Sequence, residues 1–264
     1  MDALEALVLG IIQGITEWLP VSSSGHLVIS EELLGLSAEE NLVFDLVVHL
    51  GTLFAVLVFF RKELWSIVVA FLKRGVDKGS PEHDLRLLGI LLLAGTVPAG
   101  LAGVLFTDTI EEIFDLRYVG LALIANAAML FSFERFWAKG TKKKAKFLDA
   151  LVIGAFQAVA IIPGISRSGS TIGGGMLRGL ERETAAVFAF LLSVPTLAGA
   201  FSYGILTLER YDAAWDTSLL GFFSAMLVGL VSIEYLLKVV RSGRLWMFSV
   251  YCAILGAAVV AFSL

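Results

Sequence analysis

Two stretches of this chain, LLGILLLAGTVPAGLAGVLF (87–106) and TAAVFAFLLSVPTLAGAFSYGILTL (184–208), contain no charged residue at all. A continuous apolar run of ~20 residues matches the ~30 Å hydrocarbon core of a bilayer. Inside lipid every backbone N–H and C=O must be satisfied within the protein, so the spanning elements should be helices. Four more segments, near 42–60, 117–137, 217–240 and 245–263, are long enough to cross, or nearly so. Composition agrees: 58% of the 264 residues are hydrophobic and 17% are charged, against roughly 45–50% and about 25% in soluble domains. The expected fold is an all-α polytopic membrane protein with six transmembrane helices. Membrane lipids are its expected surroundings, and no nucleic-acid partner is expected.

Net charge, −4, says less than where the charges fall. Residues 1–60 contain no Lys or Arg, whereas 61–86 carry Arg61, Lys62, Lys73, Arg74, Lys78 and Arg86. A second cluster holds Arg135, Lys139, Lys142, Lys143, Lys144 and Lys146; Arg178 with Arg182, and Lys238 with Arg241 and Arg244, mark two more. The other connections are acidic, with Asp108, Glu111, Glu112 and Asp115 in one and Glu209, Asp212 and Asp216 in the other. Basic loops stay in the cytoplasm, which orients six spans consistently on one condition. Residues 148–183 must then enter and leave on the cytoplasmic side, as a re-entrant helical hairpin broken at Pro163-Gly164. Residues 3–34 form the counterpart from outside, broken near Pro20. The sole cysteine, Cys252, cannot form a disulfide within the chain and reads as a packing residue. The acidic N-terminus lacks the basic n-region of a cleaved signal peptide and is expected to be a structural segment.

The two hairpins look related. GIIQGITEWLPVSSSG (10–25) and GAFQAVAIIPGISRSG (154–169) begin Gly-x-x-Gln, carry a mid-segment proline and close on SSSG and SRSG. Each precedes three spans, and an odd number of crossings inverts the second half. The sequence therefore predicts a single membrane domain over 1–264, built as an inverted-topology repeat with halves near 1–137 and 148–264. In such architectures sites form where broken helices meet near the midplane.

Ionisable groups at membrane depth are costly and are functional candidates by default. Here they are Glu17, His26 and Arg167, with Asp45 and His49 spaced i,i+4 either as supporting partners or as an isolated structural pair. In PGISRSGST (163–171) Gly164 and Gly169 permit tight turns, while Ser166, Ser168, Ser170 and Thr171 bring hydroxyls. A helix starting there points its positive end at an anion, and the planar fork of Arg167 suits phosphate. The bland reading is a Ser/Gly-rich kink whose arginine snorkels to the surface. In QGITEWLPVSSSGH (13–26) Gln13 and Glu17 share a helix face. Glu17 is a candidate base or metal ligand, and His26 a nucleophile or general acid. Ser22, Ser23 and Ser24 stand beside them.

These two segments resemble the marks of the undecaprenyl-diphosphate phosphatases of bacteria, the bacitracin-resistance type of integral membrane phosphatase: (E/Q)GxTE(F/W)LP(V/I)SS(S/T)GH and PGxSRSGxT. FDLVVHLGTLFAVLVFF (44–60) and FAFLLSVPTLAGA (188–200) also look like family segments. The resemblance covers nearly the whole chain. It implies six spans, two re-entrant hairpins and hydrolysis of undecaprenyl diphosphate to the monophosphate that carries cell-wall precursors. It also implies a multi-pass protein of the bacterial cytoplasmic (inner) membrane, with its site toward the periplasm or exterior. Residue by residue it makes Glu17, His26 and Arg167 the catalytic core, with Ser23 and Ser166 close behind. Gln13, Ser22, Ser24, Gly164, Ser168, Gly169, Ser170 and Thr171 become substrate contacts. Gln13 stands where many members have Glu, so one carboxylate remains in the motif. The expected divalent cation, Mg²⁺ or Ca²⁺, would be held by Glu17, water and the diphosphate itself.

The attacking group is either His26 or a hydroxyl of the 22–24 run, aided by Glu17, in preference to direct attack by water. A rival of another class is a transporter that flips a lipid phosphate by alternating access; such a protein needs an anion site but no nucleophile. A purely structural scaffold leaves the buried ionisable groups unexplained. A homodimer stays open as a further partner.

Overall fold

Asp2 caps the first helix by accepting from the N–H groups of Leu4 and Glu5, both at 2.8 Å, while its own N–H donates to Glu5 at 2.6 Å. This reciprocal box satisfies amides that a helix start leaves unpaired. The computed structural model describes residues 1–36, 38–111, 115–137, 139–207 and 214–263. Of the acidic positions above, Glu112, Glu209 and Asp212 lie outside the described residues. The helices run in the order α1 (Ala3–Thr16), α2 (Ser23–Leu34), α3 (Ala38–Phe59), α4 (Arg61–Leu72), α5 (Pro81–Glu111) and α6 (Leu116–Phe136). They continue with α7 (Phe147–Val159), α8 (Arg167–Leu177), α9 (Arg182–Thr207), α10 (Trp215–Ser242) and α11 (Trp246–Phe262). The fold is all-α. Among the described residues the extended pairing is one isolated bridge between Lys142 and Leu180.

Five helices are long and apolar enough to cross a membrane: Asn41–Phe59, Pro81–Phe106, Leu116–Phe136, Arg182–Thr207 and Trp215–Ser242. The sixth expected span, Trp246–Phe262, has 17 residues, which at 1.5 Å per residue is roughly 26 Å. The chain is thus multi-pass.

Helix α4 lies where only a basic connection was expected. Its start is charged, but Ile67 and Ala70 are buried, and Ile67 and Phe71 fill the space above Gly89 of α5. Arg86 of α5 donates to the carbonyls of Ala70, at 2.5 Å, and Lys73. A cation thereby satisfies the open carbonyl end of α4. The apolar run 64–72 is short enough to merge with the preceding span in the sequence, which hides it.

The two hairpins match beyond their letters. Helix α7 begins at the residue aligned with the start of α1, and α8 at the residue aligned with the start of α2. Lys146 N–H donates to Asp149 at 3.0 Å, as Asp2 does to Glu5. Ser22 and Ser166 each accept from the glycine N–H three residues on, Gly25 at 3.3 Å and Gly169 at 3.2 Å. Helix α1 packs on α10, and α7 packs on α5. A Cβ on Gly10 would meet the Gly221 carbonyl at 2.6 Å, and one on Gly154 the Gly95 carbonyl at 2.2 Å. These first glycines of the aligned segments let backbone approach backbone, as small residues do between membrane helices.

That close approach gives an expected outcome. Gly154→Leu has no room against a backbone carbonyl and should abolish recovery of monodisperse protein on size exclusion in detergent. Gly100→Leu, where a Cβ meets nothing within 4 Å, should leave recovery unchanged.

The main core sits around Trp18, which is 1% exposed and packs edge-on against Phe190 at 5.5 Å. Phe60 lies 6.0 Å from the same Phe190 ring. Since Trp18 follows Glu17 directly, this aromatic packing fixes where the carboxylate points.

Candidate active site

Glu17 ends α1 as its C-cap, its N–H bonded to the Gln13 carbonyl at 2.9 Å. Pro20 lacks an N–H, and Ser22 takes a positive φ of 70°. Both break the helix and turn the chain into α2. A non-glycine residue in that region stores strain, and Ser22 is held there from both hairpins: its Oγ accepts from Gly25 and, at 3.1 Å, from Gly164. Gly164 itself has φ 99°, and a Cβ there would meet Ala122 at 2.6 Å. Only glycine fits this turn.

The tips of the two hairpins therefore meet directly. Ser168 Oγ donates to the Leu19 carbonyl at 3.0 Å. Asn126 of α6, fully buried, spans both breaks, donating to the Pro20 carbonyl at 3.2 Å and accepting from Ser166 N–H at 3.1 Å. Asn126→Leu leaves the Ser166 N–H buried and unpaired, at about 1–3 kcal/mol, and leaves the Pro20 carbonyl with the weak Cys252 thiol at 3.8 Å, at about 1 kcal/mol more. Thermal unfolding in detergent should show a loss of about 2–4 kcal/mol.

Where the tips meet, Glu17 and Arg167 form a salt bridge through Oε1 and Nη2. The other carboxylate oxygen accepts from Ser23 Oγ at 2.6 Å and from Gln13 Nε2 at 3.0 Å, and lies 3.8 Å from His49 Nε2. Arg167 also lies over the Trp18 ring at 5.9 Å. Its Nη1 is buried without a partner. Neither charge suits its helix end. Glu17 is at the negative C-terminus of α1, and Arg167 is the first residue at the positive N-terminus of α8. Each is disfavoured by its own helix dipole, so each charge depends on the other across the meeting tips. With the Glu17 side chain 4% exposed, removal of either partner strands a buried charge.

A cavity of about 650 Å³ opens onto the pair. Its polar wall holds Glu17, Ser22, Ser23, Ser24, His49, Ser166 and Arg167. Its apolar wall comes from the later parts of α5 and α9, with Ala99, Gly100, Gly103, Val104, Leu197, Gly199 and Ala200. Glycines on those helices leave open space: a Cβ at Gly100, Gly103 or Gly199 meets nothing within 4 Å.

Not every expected residue faces this cavity. His26 bonds the Ser22 carbonyl through Nδ1 at 2.7 Å, and its Nε2 shares a hydrogen bond with Tyr251 Oη at 2.7 Å. The ring stacks on Tyr251 and does not join the cavity wall. Ser170 Oγ and Thr171 Oγ1 turn back to the Ser166 and Arg167 carbonyls, at 2.7 and 2.9 Å. Gly164 and Gly169 spend their N–H groups on the hydroxyls of Ser22 and Ser166. Asp45 approaches Glu31, while His49 turns toward Glu17. The i,i+4 pair thus serves two places.

For a cation, the carboxylate at hand on the cavity wall is Glu17; Gln13 Oε1 is buried and unpartnered but does not line the cavity. Among the described residues no group of three or more His, Cys, Asp and Glu side chains converges. The donor set fits an oxygen-seeking divalent ion held in large part by substrate oxygens.

Residues 6–258 match the family model described as bacitracin resistance protein BacA. Over 268 residues the chain is 40% identical to a Korarchaeum cryptofilum protein named undecaprenyl-diphosphatase, with 99% of each chain covered. It is 40% identical over 274 residues to a protein of the same name from Methanosphaera stadtmanae, covering 100% of this chain and 99% of that one. A Carboxydothermus hydrogenoformans protein so named is 40% identical over 267 residues, covering 98% and 97%. With the fold and the paired hairpin tips in place, a match of this extent assigns the chain: it belongs to the bacitracin resistance protein BacA family.

Proposed function

We propose that this protein hydrolyses undecaprenyl diphosphate to undecaprenyl phosphate and inorganic phosphate, renewing the lipid carrier of cell-wall synthesis. The observation that carries the reading is the Ser23 hydroxyl, 2.6 Å from a buried carboxylate that is itself paired with Arg167 on the polar wall of a largely apolar cavity. Relatives named undecaprenyl-diphosphatase, aligned over almost the whole chain, support the substrate.

In this reading the headgroup lies at the hairpin tips while the prenyl tail passes along the small residues of α5 and α9 into lipid. Arg167 offers its unpartnered Nη1 to the terminal phosphate. As Ser23 Oγ attacks the terminal phosphorus, its proton passes to Glu17. The bridging P–O bond breaks, and the lipid monophosphate leaves with the electron pair. Glu17 then sheds that proton to solvent, takes one from an entering water as the water attacks the phosphoserine, and returns it to Ser23 Oγ as inorganic phosphate departs. Catalysis here is positioning and charge stabilisation. Glu17 would help hold a bound Mg²⁺ or Ca²⁺, which would supply neutralisation of the diphosphate charge. His26 acts by ordering the start of α2 through the Ser22 carbonyl and Tyr251.

The finer architecture belongs to the same proposal: six spans, and two re-entrant hairpins in an inverted repeat of halves near 1–137 and 148–264. The aligned helix starts, the twin serine caps and the reciprocal packing of α1 on α10 and α7 on α5 support it. The cavity is lined by the later parts of α5 and α9, which lead to the acidic connections. With basic loops inside, the site faces outward, toward the periplasm in an inner membrane. Tip-to-tip hairpins also favour a second reading, in which the product lipid is flipped across the bilayer.

The test is phosphate release from undecaprenyl diphosphate by purified protein in detergent, with and without EDTA. Release without a second compartment supports the hydrolase; no release, together with lipid movement in vesicles, would leave only the flippase.

A further inference from the structure

Gln157 of α7 is aligned with Gln13 of α1 and is 1% exposed. Gln13 spends its amide N–H on Glu17, one turn along. One turn beyond Gln157 stands Ile161, which has no side-chain acceptor. As a result both Nε2 and Oε1 of Gln157 are buried with no hydrogen-bond partner.

Two bare polar atoms of one amide inside a membrane protein are a costly state unless something outside the fold satisfies them. Gln157 lines the same cavity as Glu17, Ser23 and Arg167. Around it that wall continues as Ala160, Ile161 and Ile165, which offer a ligand no side-chain hydrogen bond. We propose that Gln157 is a substrate-binding residue whose amide N–H donates to an oxygen of the diphosphate headgroup. The repeat explains the division of labour. In the first hairpin the glutamine steadies the base; in the second, where the base is replaced by isoleucine, the same side chain is released to hold the anion. The inference rests on the hydrolase reading and deepens it.

The test uses full-length protein in detergent. For Q157L, kcat/KM for undecaprenyl diphosphate should fall about 10- to 100-fold, the range for one hydrogen bond to a charged group, with most of the change in KM. The Tm of Q157L without ligand should be unchanged or higher, because an unsatisfied amide has been removed. Q157E should lose more than Q157L, since a carboxylate would face the diphosphate. Inorganic diphosphate should raise the Tm of the wild type and raise that of Q157L less. A wild-type KM in Q157L or Q157E would overturn the proposal. So would a Q157L Tm many degrees lower, which would mark the amide as a structural group satisfied by internal water. If the wild type releases no phosphate, the hydrolase reading fails, while the diphosphate shift in Tm still reports on Gln157.

Discussion

Ser23→Ala is expected to lower kcat/KM by about ten thousandfold, as loss of an attacking hydroxyl does elsewhere. Tm should change little. Ser23 opens α2 and its Oγ–H bonds only Glu17, at 2.6 Å. With the hydroxyl gone, that carboxylate keeps Arg167 and Gln13, so the fold loses one hydrogen bond to a charged group, about 1.5 kcal/mol where the acceptor keeps other donors. The kinetics separate two mechanisms. If water attacks directly and Ser23 merely positions it, the loss should be closer to a hundredfold. A drop of tenfold or less in phosphate release would remove Ser23 from the chemistry altogether.

Arg167→Ala should reduce turnover at least a thousandfold, in line with other arginines that neutralise a transferring phosphoryl group. Unlike Ser23→Ala it should also destabilise the protein. Glu17 would stay buried at the C-terminus of α1 without the guanidinium that bonds it, and stranding such a charge costs about 3–5 kcal/mol. Arg167→Lys keeps the charge but loses the two-nitrogen fork that, in the proposed mechanism, serves Glu17 and the substrate together. It should recover most of the stability and little of the activity. Equal recovery of both, measured by thermal unfolding and phosphate release on one preparation, would show that the fork has no part in phosphate binding.

Legibility in the sequence followed the range of the interaction. Uncharged runs such as 87–106 announce lipid because the bilayer demands length and apolarity from the segment itself. Five helices accordingly lie on the expected runs. The helix break near Pro20 was legible too, since proline acts on its own backbone. Helix α4 was not: it depends on Arg86 of α5 closing its carbonyl end and on Gly89 receiving Ile67 and Phe71. The hydroxyl run in 166–171 suggested one cradle, but Ser170 and Thr171 bond their own helix. Serine and threonine within helices commonly do so, and side-chain direction is invisible in a list of residue types.

By itself the sequence determined that the chain is a multi-pass helical membrane protein, that its two broken segments share a Gly-x-x-Gln, proline and Ser-rich pattern, and which residues carry charge or hydroxyls at their tips. Tertiary packing decided which of those groups meet. It set Glu17 of one hairpin against Arg167 of the other, turned Ser23 toward them and His26 away to Tyr251, and left Gln157 bare in the cavity. The physical reason is that hydrophobic length and helix breaking are properties of neighbouring residues. A salt bridge between residues 150 positions apart exists only once Asn126, the glycine contacts and the Trp18 core have brought two backbones together.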